Sequence, residues 1–240
     1  MESNAATSLF ALAGLVVAHL LAGTLGPRLR GIPRHVWLSF ASGVPVVFVF
    51  LEILPTLARD QVTVARTSGA ILRRFDDHVY IAAFLGLMLF YGVESAVRRS
   101  QQERRFTSAA VFWLSIGSYA TLNVLFGYLL VAIDRNRREL LLFVVAIGLK
   151  FLVDDVGLAE QHGERYDRRG RWLVLAALVL GWIAGNAGTI PPVAVAVVRS
   201  FLAGGIIMSV LKEELPAERQ SRFWPFALSA ALYGALLLAL

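Results

Sequence analysis

The chain contains no cysteine, so disulfides and thiolate metal sites are excluded. Histidine is scarce: His19, His35, His78 and His162 are scattered, and no two share helical spacing. A histidine-based metal site therefore has no motif here. Charge is sparse as well, at 17% of 240 residues against 57% hydrophobic, and mean hydropathy is +0.65. Soluble domains sit nearer 45–50% apolar. Long polar stretches are missing, which leaves no room for a soluble catalytic or sensor domain. Period-two alternation is missing too, which argues against an outer-membrane barrel. No nucleophile–base pair, histidine dyad or metal triad can be assembled, so the chain is not read as an enzyme. The N-terminal MESNAATS lacks a basic region, and no cleavable signal peptide is expected.

What is present is a series of long apolar runs separated by short charged ones, the pattern of a polytopic helical membrane protein. The fold class is all-α, a single transmembrane domain over 1–240. Eight segments are expected, at 6–25, 36–56, 78–97, 107–133, 139–159, 171–188, 192–211 and 223–240. Spanning a bilayer needs roughly 17–25 residues, and the last segment is near the lower limit. Gly26-Pro27 and Pro55 close the first and second segments, Pro45 should kink the second, and Pro191-Pro192 opens the seventh. The connection 57–77 has room for a short interfacial helix.

The formal net charge of +6 comes from basic residues at segment ends, which are topology signals and not a nucleic-acid surface. Counting Lys and Arg, the loops after odd-numbered segments hold 14 and the other loops 7. This bias puts both termini outside. The expected partner is the lipid bilayer, in the cytoplasmic (inner) membrane of a bacterium.

The fifth segment, ELLLFVVAIGLKFLVDDVGLAE, carries Lys150, Asp154 and Asp155 within six residues. A charge at bilayer depth costs roughly 2.5–3.5 kcal/mol on insertion scales, so these groups need partners. Lys150 lies about 18 Å from the Arg138 end, near the midplane. The fourth segment should pack antiparallel to the fifth, bringing Tyr119 and Asn123 to similar depth. Lys150 and Asp154 are four apart and share one face, while Asp155 points about a quarter-turn away. Two readings stay open, a transport site in the bundle interior or an internal ion pair that satisfies itself. Glu52 lies near the outer end of the second segment, as the lining of an entrance or as an interfacial residue. Glu94, Glu213 and Glu214 are expected in solvent. Arg199 is expected to pair with Asp155 or to snorkel. Gly181 and Gly185, and Ala203-Gly204-Gly205, read as close helix-packing positions.

The second segment, FASGVPVVFVFLEILPTL, resembles the second helix of the ZIP (Zrt/Irt-like) metal transporters, in which a small-residue start leads to an acidic or His residue before Leu-Pro. FLAGGIIMSVLKEELP resembles the family's seventh helix, and FWPFALSAALYGALLL its eighth. The resemblance covers most of the chain. It implies a ZIP-like bundle of eight helices, a homodimer, and a divalent metal or other small cation as substrate, bound between the fourth and fifth helices. It implies no cofactor beyond that metal.

The family's ligand patterns are altered. In SYATLNVLFG, Tyr119 takes the place of the His and Asn123 that of the acidic ligand. In KFLVDD, Lys150 stands at the His position and Asp154 at the acidic one. The His-rich loop between helices three and four is replaced by RRSQQERR. The metal ligands that remain are Asn123, Asp154 and Asp155, an oxygen set suited to harder cations than zinc. The implied transport pathway runs past Glu52, Tyr119, Asn123, Lys150 and Asp154. A protonated lysine carries only donors and cannot ligate a metal. Lys150 is then either a tethered surrogate for the cation or, if it deprotonates, part of a proton-coupled gate. The alternative function is a non-transporting ZIP-like protein in which the Lys150–Asp154 pair replaces the metal.

Overall fold

A computed structural model describes residues 2–28, 33–67, 78–103, 108–132, 136–188, 191–214 and 223–239. The described chain is helical throughout. The helices are α1 (Glu2–Arg28), α2 (Arg34–Phe48), α3 (Leu54–Thr67), α4 (His78–Glu103), α5 (Ala109–Ala132), α6 (Arg137–His162), α7 (Arg171–Ala187), α8 (Pro192–Glu214) and α9 (Phe223–Leu238). One π-helical turn, Val49–Ile53, joins α2 to α3, and another, Tyr166–Gly170, leads into α7. All eight expected segments fall on helix. Six stretches are long and apolar enough to cross a membrane. Of the other two, α6 carries its three central charges and α9 has 16 residues.

The second segment does not stop at Pro55. It continues through the π turn into α3 as far as Thr67, so half of the expected 57–77 connection is helix and the rest lies outside the described residues. The cause is local. A proline ring clashes with the carbonyl four residues back, which for Pro55 is that of Leu51. Leu51 sits inside the π turn, where the ladder widens. The extra residue accommodates the ring, and the helix goes on.

Helix α6 starts from a capping box. The Asn136 side chain accepts from the backbone N–H groups of Arg138 and Glu139 at 3.0 and 2.9 Å, and Glu139 accepts from the Asn136 N–H at 3.2 Å. It ends at Gly163, whose φ of 60° suits glycine.

The helices associate as α1 with α6, α2 with α9, α4 with α8, and α5 with α7. Small residues set the closest pairs, as expected for Gly181, Gly185 and Gly204. A Cβ on Gly181 would lie 2.0 Å from the Val124 carbonyl oxygen, and one on Gly204 1.7 Å from that of Ala83. The expected α5–α6 antiparallel pair is not formed along the backbone. Gly127 and Gly181 let α5 close on α7, while bulky rings stand between α5 and α6. Phe126 of α5 meets Phe143 and Phe151 of α6 at centroid distances of 6.4 and 5.3 Å.

Candidate functional site

The end of the bundle where α6 begins holds a cavity of about 930 Å³. Glu52, Arg59 and Asp60 line it from the π turn and α3, Arg138 and Glu139 from α6, and Arg199 from α8. Its floor is apolar, with Phe48, Phe126, Phe143 and Ile206. Glu52 belongs to the widened turn, is half-buried, and faces this vestibule. The Arg199 guanidinium donates to both oxygens of the buried Asp60, through Nε at 2.6 Å and through Nη2. Arg199 thus neither meets Asp155 nor points to lipid. Asp60 lies within reach because α3 prolongs the second segment. Glu94 pairs with Arg98 at 3.1 Å, one turn away on α4. The side chains of Glu213 and Glu214, like those of His35 and His78, lie outside the described residues.

Below the floor runs a ladder of rings. Phe48 meets Phe143 edge-on at 5.9 Å, Phe143 meets Phe126, Phe126 meets Phe151, and Phe151 stacks on His19 at 4.3 Å and 24°. The first buried ionic cluster lies about 12 Å further along α6 than Leu142. Lys150 Nζ donates to Asp154 Oδ2 and, at 3.1 Å, to the Ser209 hydroxyl. Ser209 donates in turn to Asp154 Oδ1 at 2.9 Å. All three side chains are buried. One ammonium, one carboxylate and one hydroxyl close on themselves with no net charge.

The second cluster draws on three further elements. His19 of α1 places Nδ1 2.9 Å from Asp155 Oδ2 and Nε2 3.0 Å from Asn123 Oδ1. Asn123 donates through Nδ2 to the Tyr119 carbonyl at 2.9 Å. The Tyr166 hydroxyl, from the turn before α7, donates to Asp155 Oδ1. His19, Asp155 and Tyr166 are each at most 1% exposed. Gly170 makes room here, since a Cβ there would lie 2.6 Å from the Tyr166 ring.

The sequence-derived site residues are therefore divided between these features. Glu52 is in the vestibule, Lys150 and Asp154 form one cluster, and Asn123 joins Asp155 through His19. Tyr119 contributes its backbone carbonyl, while its ring packs edge-on against Phe90 at 6.0 Å. Asn123, Asp154 and Asp155 do not act together as an oxygen set in this structure. Every carboxylate oxygen of the two aspartates, and Asn123 Oδ1, already faces a protein partner. Among the described residues no group of three or more His, Asp or Glu is gathered as a metal site.

Sequence reasoning missed His19, Tyr166 and Ser209. For His19 a signal existed, a lone ionisable group deep inside an apolar run. Tyr166 was hidden because it precedes the expected segment, and a serine on an apolar helix carries no signal of its own.

No family model matches the chain, and no curated protein matches it. The helical, apolar bundle is compatible with an integral membrane protein.

Proposed function

We propose that this is a ZIP-like integral membrane protein with eight transmembrane helices and both termini outside, in which the Lys150–Asp154 ion pair stands in place of a metal cation. The observation that carries this reading is the closure of that pair. The Lys150 ammonium supplies a positive charge at membrane depth, and Asp154 spends one oxygen on it and the other on Ser209. A divalent cation would have to displace a tethered one that sits on its own helix and cannot diffuse away. The pair supports a scaffold stabilised from within and not loaded with metal.

A second reading, a carrier for a divalent or other small cation, draws on the vestibule. A cavity of about 930 Å³ reaches into the bundle and bears Glu52 on a π turn. Such turns are frequent at functional sites. The phenylalanine ladder would then be a closed gate between this antechamber and the interior.

Uptake separates the two. The protein is reconstituted in liposomes, offered zinc, manganese, iron and cadmium ions, and the accumulated metal is measured by elemental analysis. The first reading expects no accumulation by the parent and a gain by Lys150→His, which exchanges an ammonium for a group able to ligate. Accumulation by the parent that disappears in Asp154→Ala would overturn it in favour of the carrier.

A further inference from the structure

Glu52 is an acid without a cation. It belongs to the π turn Val49–Ile53, is half-buried, and lines the vestibule. Among the described residues its carboxylate meets no hydrogen-bond donor and no cationic group. The other acids of the cavity wall are provided for. Both oxygens of Asp60 accept from Arg199, and Glu139 accepts from the Asn136 N–H at 3.2 Å in the capping box. Tyr233 of α9 is within electrostatic range of Glu52, but its hydroxyl donates to the Leu142 carbonyl at 3.1 Å. A carboxylate set in an apolar wall is costly without a partner. The cavity leaves room for one from outside the chain.

The surroundings of Glu52 say which kind of cation fits. Hard metal ions are held by several oxygens at once, whereas the floor beside Glu52 is built from Phe48, Phe126 and Phe143. Aromatic rings attract an ammonium group, and apolar walls shelter the hydrocarbon that a hydrated metal ion lacks. The volume of about 930 Å³ is that of a pocket for a drug-sized organic molecule. We propose that the vestibule binds an organic ammonium compound with an apolar body, its nitrogen on the Glu52 carboxylate and its hydrocarbon part against these three rings. The ion pair with a partly desolvated carboxylate recognises the charge, and the rings recognise the body.

Position gives the ligand an orientation. Arg59 lies about 10 Å further along its helix than Glu52, and Arg138 about 6 Å further out on α6 than Leu142. Both are exposed and line the cavity nearer its mouth. The nitrogen therefore points inward, and any carboxylate or phosphate on the ligand stays at the two guanidinium groups. The same groups oppose the entry of a bare cation, so charge alone does not fill the cavity. The site is separated from Lys150 and Asp154 by the phenylalanine ladder, and it does not depend on how that pair is read.

Equilibrium dialysis of the full-length protein in lipid nanodiscs, with empty nanodiscs as the blank, tests this. The probes are phenylbutylammonium and its uncharged counterpart phenylbutanol. The expected result is saturable binding of the ammonium, at least about ten-fold tighter than that of the alcohol. Glu52→Gln should erase that preference while still binding the alcohol as the parent does, which shows that the pocket is intact. Glu52→Asp, which keeps the charge, should retain the preference. No saturable binding of the ammonium by the parent, equal binding of the two probes, or a preference that survives Glu52→Gln would overturn the site. Displacement of the ammonium by an equimolar amount of zinc or manganese ions would assign Glu52 to a metal and overturn it as well.

Discussion

Asp154 and Asp155 are consecutive residues on one helix, both buried, and they are partnered in different ways. Asp154 takes its cation from Lys150, one turn earlier on α6. Asp155 takes its partners from outside the helix, His19 on α1 and Tyr166 at the approach to α7. The first pair can form in α6 alone, before any other helix is present. It lowers the cost of putting this charged segment into a bilayer at all. The second exists only when the bundle is assembled, so it reports on assembly and can respond to movement between helices.

The sharpest test of that contrast is to remove one partner from each cluster. Asp154→Ala leaves a lysine buried without its carboxylate, and such losses cost about 3–5 kcal/mol. The double variant Lys150→Met with Asp154→Leu should return close to the parent, since well-packed apolar replacements of buried pairs are often neutral or stabilising. Asp155→Ala should cost less, about 1–3 kcal/mol, because the hydrogen bonds from His19 and Tyr166 are lost but no lysine is stranded. Thermal unfolding in micelles ranks the three. Equal losses for the two single variants would mean that the helix-local pair has no special standing.

The same contrast explains what was legible in the sequence. Eight helical segments, the close packing at Gly181 and Gly204, and the spacing of Lys150 to Asp154 are all consequences of local composition or of 3.6-residue periodicity. The partners of Asp155 and Arg199 are not. They depend on which helices become neighbours, and that was decided by glycines pressing α5 onto α7 and by rings holding α6 off α5. The extension of the second segment to Thr67 was equally hidden. A proline after an apolar run reads as a stop, and only the π turn at Leu51 makes it passable. That single local feature brings Asp60 to Arg199 and shapes the vestibule wall.

Glycine contacts offer a second comparison of smaller size. A Cβ on Gly204 would press on the Ala83 carbonyl, whereas one on Gly92, also an α4 position, meets nothing within 4 Å. Gly204→Ala should therefore push α8 from α4 and cost about 1–3 kcal/mol, the range of overpacked interiors. Gly92→Ala should be neutral or stabilise by up to about 1 kcal/mol through helix propensity. Unfolding of the two variants in the same micelle checks this. Similar values for both would mean that backbone closeness at Gly204 is not what holds the pair.

The smallest effects come from ion pairs that water still reaches. Arg168 and Glu164 lie 3.0 Å apart, but their side chains are 77% and 82% exposed. Asp60 is only 5% exposed beneath an Arg199 that is 26% exposed. Asp60→Asn keeps the shape and removes the charge under a bidentate guanidinium, and should cost about 1–3 kcal/mol. Glu164→Gln should change stability by less than about 0.5 kcal/mol. High salt should also leave the Asp60 effect largely intact, since a buried pair is poorly screened. Unfolding of Asp60→Asn at low and at high salt decides this. An Asp60 effect that vanishes at high salt would put this pair with the surface contacts, and α3 would then be held to α8 by its apolar face alone.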